Sequence, residues 1–137
     1  MQHVVADANV FISFFVERNE KQRAAAKAFL LGAENGDFVA IIPQFVLFEI
    51  IYVLQTSYGV PGGDVANVIK DAIAMPGILV TDDCPWTQIF AYWPDPLRSI
   101  SDAAIVAVAV ANRYDYVATF DLKLARRMKS LGVASYW

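Results

Sequence analysis

Four carboxylates stand where the surrounding sequence gives an acidic side chain no structural reason to be. Asp7 ends the apolar run His3-Val4-Val5-Ala6, and Glu49 is the only charge in residues 45–54. Asp102 opens the Ala/Val-rich segment 102–110, and Asp121 closes the strand-like segment 116–120. A buried, unpaired carboxylate is costly and normally neutralises or finds a cation. At about 4 Å, two like charges repel by roughly 4 kcal/mol at an effective dielectric near 20, so four brought together call for a positive ion. All-oxygen donors favour the hard ions Mg²⁺ or Mn²⁺, and a single histidine and a single cysteine leave zinc without ligands. A centre of this kind activates water and neutralises a phosphodiester, so phosphoryl-transfer hydrolysis is the chemistry these residues fit.

Taken singly, three of the four acids have plainer uses. Asp102 or Asp121 can cap a helix, and Asp7 can serve a turn. Glu49, alone in an apolar helical stretch, has no such use, and the four jointly resist it. His3 lacks a catalytic partner and reads as a strand-start residue. Asp82 and Asp83, ahead of Pro85, read as a loop and helix start suited to the helix dipole. The aromatic group Trp86, Phe90, Tyr92 and Trp93 reads as core or partner packing before it reads as a stacking platform for bases.

The elements that must position the acids alternate. Residues 3–7 form a buried strand, and Asn19 with Gln22 resembles a capping box for a helix to about Leu31. Residues 38–42 form a second strand after the Asn35-Gly36 turn, and Pro43 starts a helix that carries Glu49 and stops near Gly59. Asp64 can cap the next helix, whose apolar stripe is Val65, Val68, Ile69, Ala72 and Ile73. A strand at 78–81, a short helix at 85–93, a helix from Asp102 to Asn112 and a strand at 116–120 follow. A basic helix at 123–131, with Gly132 as its cap, and a short strand at 133–136 complete the chain. Strands separated by helices predict a parallel sheet covered on both faces. Asp7 and Asp121 then fall at the carboxyl ends of strands, where open α/β sheets bind ligands, and Asp102 and Glu49 reach the same edge.

The 137 residues make one domain, 1–137, able to bury roughly two-thirds of its unfolded surface. A 57% hydrophobic content with 18% charge excludes disorder and leaves an apolar surplus for a partner, with a two-fold homodimer expected. The net charge of -3 argues against gripping nucleic acid by global charge but leaves room for a local basic rim. One cysteine fits a reducing cytosol. The first residues lack a basic start, and no apolar stretch is long enough to span a bilayer, so a soluble, cytoplasmic protein is expected.

The ordered set of elements resembles the PIN-domain ribonucleases, and among them the VapC-type toxins of toxin–antitoxin systems. Asp7-Ala8-Asn9 resembles the opening Asp-x-Ser/Thr/Asn element, and Pro43 followed by Glu49 the second acidic element. Ser101-Asp102-Ala103 resembles the third, and Thr119-Phe120-Asp121 with Leu124 the fourth. The resemblance implies a three-layer α/β/α fold with a central, mainly parallel sheet of four to five strands. It implies Mg²⁺- or Mn²⁺-dependent endonucleolytic cleavage of RNA, and a cognate antitoxin whose segment lies beside the active site. By that analogy Asp7, Glu49, Asp102 and Asp121 are metal ligands or water activators, with Asn9 and Thr119 in support. Arg18, Arg98, Lys123, Arg126 and Arg127 are then candidate contacts to backbone phosphates. Other readings are a PIN nuclease of RNA maturation or decay, and an idle PIN fold that only binds protein. A phosphatase using Asp-x-Asp fits poorly, because Asn9 stands where the second Asp is needed.

Overall fold

Helices fill every interval between strands in the computed structural model, which describes residues 1–137. The order is β1 (His3–Ala6), α1 (Ala8–Phe15), α2 (Glu20–Glu34), β2 (Val39–Pro43), α3 (Gln44–Thr56) and α4 (Gly62–Ala74). Then come β3 (Ile78–Thr81), α5 (Trp86–Tyr92), α6 (Ile100–Ala111), β4 (Tyr116–Ala118) and α7 (Leu122–Ser130). The sheet runs β3-β2-β1-β4, and every pair is parallel.

Because parallel crossovers are right-handed, β1 to β2 and β2 to β3 put α1–α4 on one face, while β3 to β4 returns across the other. The packing agrees: α1 lies on α2 and α3, α3 on α4, and α6 on β1, β4 and α5. Both faces are therefore covered, which explains why β1 and β2 are apolar without alternation. α6 is the extreme case, since every residue from Ala103 to Ala109 is buried. Its alanines let the helix axis approach the sheet, and its Ile105 and Val106 fill the space between. Removing one such large side chain costs about 2–5 kcal/mol.

Several boundaries depart from the sequence expectation. α1 was not foreseen, because eight almost wholly apolar residues show no helical period after an apolar strand. Asp64 does not cap α4; Pro61 takes that position, and Asp64 lies in the first turn, where its charge suits the helix dipole. Asp102 is likewise inside α6, which Ser99 caps through its hydroxyl. The strand expected at 133–136 is a single parallel bridge, Val117 to Ser135. β4 is only three residues long, so it offers a fifth strand little edge to pair with.

Candidate active site

β1 and β4 lie side by side with Ala6 opposite Ala118, so the residues that follow each strand meet at one edge. The direction of the connections reverses between these two strands, and such a switch point opens a crevice at the carboxyl ends. Asp7 caps α1: one carboxylate oxygen accepts the Ala8 amide at 2.8 Å. Its other oxygen accepts the Thr119 hydroxyl at 2.8 Å and the Asn9 side-chain amide at 3.1 Å. Asn9 also donates to the Thr119 oxygen at 3.2 Å and accepts the Phe120 amide at 3.1 Å. Thr119, only 4% exposed, accepts the Asp121 amide in turn. Asn9 and Thr119 thus brace the start of α1 against the end of β4.

Asp121 caps α7, with one oxygen accepting the amides of Lys123 and Leu124. Its second oxygen takes no part in these cap bonds. Asp102, in the first turn of α6, and Glu49, in α3, complete the set. Asp7, Glu49 and Asp102 each feel at least one acidic neighbour of the set. Asp7 is raised above the usual carboxylate range by burial and by the charge of Asp121, against the opposing bonds from Thr119 and Ala8. Glu49 is raised by burial and by Asp7, with the Ser101 hydroxyl pulling it back. Asp102 is pushed up to about 6 by burial and then by Asp7, Asp121 and Glu49, while Arg127 opposes the shift. Ser101 is a site residue the sequence reading quoted only as part of a motif, because a serine at a helix start looks like capping.

The donor set fits a hard divalent cation: four carboxylates, no histidine, no sulfur, and negative charge in excess. No three acidic, histidine or cysteine side chains close around a single point, so the acids share an electrostatic basin rather than a finished coordination shell. Divalent ions of this class keep several waters and need few direct carboxylate ligands, which suits an open arrangement.

The candidate phosphate contacts divide. Arg18 bonds the Asn9 carbonyl at 3.4 Å, the buried Ser13 hydroxyl at 3.0 Å and the Tyr58 hydroxyl at 3.3 Å, so it clasps α1 to the end of α3. Arg127 donates to the Pro96 carbonyl at 2.9 Å and lies within electrostatic reach of Asp102. Lys123, Arg126 and Arg127 line an exposed hollow on α7, whereas Arg98 is exposed on the loop before α6. His3 stacks on Tyr114 and its amide bonds Asp115, at the opposite end of β1 from Asp7. Asp82 and Asp83 accept bonds from Gln44 and Asn112, as loop residues. Trp86 and Phe90 stand exposed on α5, next to Trp93.

No curated protein sequence matches the chain. Among solved structures, it is similar to VapC20 of Mycobacterium tuberculosis, described as a sarcin-ricin loop cleaving toxin. That match has a TM-score of 0.68 and 15% identity, and covers 90% of this chain and 94% of the other. It is also similar to FitAcB from Neisseria gonorrhoeae, with a TM-score of 0.59, 18% identity, and coverage of 98% and 96%. At these identities the likeness speaks for the fold. The family model of the PIN domain matches residues 4–129, a span that runs from β1 through α7 and includes all four carboxylates. By that match the chain belongs to the PIN-domain family.

Proposed function

We propose that this protein is a metal-dependent RNA endonuclease that hydrolyses phosphodiester bonds, and that it serves as the toxin of a toxin–antitoxin pair. The observation that carries the reading is the charge coupling of Asp7, Glu49, Asp102 and Asp121 at the switch point of the sheet, in a chain of the PIN-domain family. These four would hold Mg²⁺ or Mn²⁺, which when bound neutralises phosphate charge and makes a water more acidic. Asn9 and Thr119 keep the Asp7 carboxylate in place for that task. Arg18, Arg98, Lys123, Arg126 and Arg127 supply the basic rim that an acidic chain needs to meet a polyanion.

The toxin assignment is supported by the likeness to VapC20, itself described as a toxin. A cognate antitoxin, whose segment covers the site and sets a basic side chain among the acids, is part of this reading. So is a homodimer, because Phe48 at 69% and Phe90 at 60% exposure are more apolar surface than one core requires. A cytoplasmic location follows from an RNA target, and no helix is long and apolar enough to cross a membrane.

The test is incubation of purified protein with structured and unstructured RNAs, with Mn²⁺ or Mg²⁺ and then with EDTA. Cleavage that EDTA stops, and that Asp7→Asn abolishes, is expected. Millimolar metal should also raise the thermal midpoint of the wild type more than that of Asp7→Asn. Intact RNA under all conditions, with no metal-dependent shift in midpoint, refutes the reading and leaves the fold as a protein-binding module.

A further inference from the structure

Beside the acids lies an aromatic and aliphatic ridge whose exposure neither the fold nor the metal site explains. Leu122 follows Asp121 directly and is 74% exposed, although leucine at a helix start is normally turned to use in the core. Trp137, 47% exposed, stacks on Phe120 with ring centroids 4.6 Å apart and planes 23° from parallel. Phe120 is itself tied to the site through its amide, held by Asn9. The ridge is therefore braced by the same network that positions Asp7.

A hollow opens on each side of it. One, of about 430 Å³, runs between Trp137 and the start of α2 and reaches Thr119; Asn19, Lys21 and Gln22 line its far wall. The other, of about 460 Å³, follows α7 past Arg126 and Lys129. Leu122 and Trp137 line both.

We propose that Leu122 and Trp137 form a wedge on which unpaired bases of the RNA stack beside the cleavage point, one base in each hollow; this rests on the nuclease reading above. The occupant follows from two chemistries that coincide. Flat apolar walls fit the π faces of bases, and cations flank both hollows in a chain whose net charge is negative. An acidic peptide would satisfy the cations but leave the flat walls unmatched. A duplex would satisfy the cations too, yet its base faces are already stacked.

The first hollow also has the means to discriminate. Asn19 uses its side-chain oxygen to cap α2, and Gln22 uses its own to accept the Ser13 hydroxyl. Their amide nitrogens remain as donors toward acceptor atoms on a base edge. Gln22 is thereby a specificity residue, and Leu122 and Trp137 supply sequence-tolerant affinity.

The experiment uses the full chain carrying Asp7→Asn to prevent turnover, with labelled short single-stranded oligoribonucleotides and hairpin stems as probes. Trp137→Ala should weaken single-strand binding about tenfold, within the range measured for base–aromatic stacking; Leu122→Ala should weaken it as well, through lost apolar contact, and both should leave stem binding unchanged. Trp137 also packs on Phe29 and Tyr136, so its replacement can disturb the fold; Leu122, bearing no such contacts, keeps the test decisive. With Asp7 restored, Gln22→Ala should redistribute cleavage positions. A wild type that cleaves RNA while Leu122→Ala keeps both affinity and cleavage positions overturns the wedge alone. Altered sedimentation of Leu122→Ala with unchanged RNA affinity assigns the ridge to a second copy of the chain and also overturns it. A wild type that neither binds nor cleaves any probe removes the nuclease reading and the wedge with it.

Discussion

The Thr119 hydroxyl donates to Asp7 at 2.8 Å while its oxygen accepts the Asp121 backbone amide at 3.1 Å, so one buried residue ties together two acidic residues that follow neighbouring strands. Thr119→Val keeps the shape and removes these two bonds together with the one from the Asn9 amide. The loss should cost about 1–3 kcal/mol of stability, because the buried partners are left unsatisfied. Thr119→Ser should retain most of it. Urea melts of the two variants, alongside RNA cleavage rates, separate a positioning role from simple packing; equal behaviour of Val and Ser would rule it out.

Glu49→Gln removes a charge that burial and Asp7 both oppose. The metal-free variant should melt no lower than the wild type, while cleavage is lost. Wild-type cleavage by the Gln variant would reduce Glu49 to a surface acid.

The pH dependence follows from the upward shifts. Asp102 keeps its proton up to about 6 in the folded chain against 3.8 for the free side chain, and Asp7 and Glu49 shift in the same sense. Between those values the folded state binds more protons than the unfolded one, so stability falls as pH rises. The contribution is complete below the unfolded value and is lost as pH passes the folded one. Melts of metal-free protein should show Asp102→Asn gaining on the wild type from about pH 4 to about pH 6. A constant difference across that window contradicts the coupling.

Much of this was readable from residue types alone. Strands next to Pro43, Gly77 and Asp121 announce themselves by apolar runs that end abruptly, and a lone Glu49 in such a run is conspicuous. α1 was hidden because a short helix buried along most of its length carries no period, and the fifth strand was overread because residue types do not reveal how much edge a partner offers. Ser101 and the Arg18 clasp depend on distances between elements, which no local pattern encodes.

Gly77 tests the packing of sheet against helix. Its φ is +81°, and a Cβ there would stand 2.0 Å from the Ala33 carbonyl oxygen at the end of α2. Gly77→Ala should therefore destabilise by about 3 kcal/mol through strain and overpacking together. Thermal melts check it, and an unchanged midpoint would mean that α2 and β3 move apart freely.

Self-association is expected through the exposed aromatics of α3 and α5. Phe48→Asp combined with Phe90→Asp should convert a dimer to a monomer at tens of micromolar without altering helix content. Sedimentation decides the matter; a wild type that is already monomeric ends the dimer proposal.

The position of β1 between β2 and β4 has a consequence for biosynthesis. Its first neighbour is translated soon after it, but Thr119 follows Asp7 by 112 residues. At roughly 5–20 residues per second, a nascent chain carries Asp7 for on the order of 6–22 s before its hydroxyl partner exists. Throughout that interval the ribosome holds a polypeptide whose acids have not met. Synthesis interrupted anywhere upstream of Thr119 releases a product without the assembled cluster.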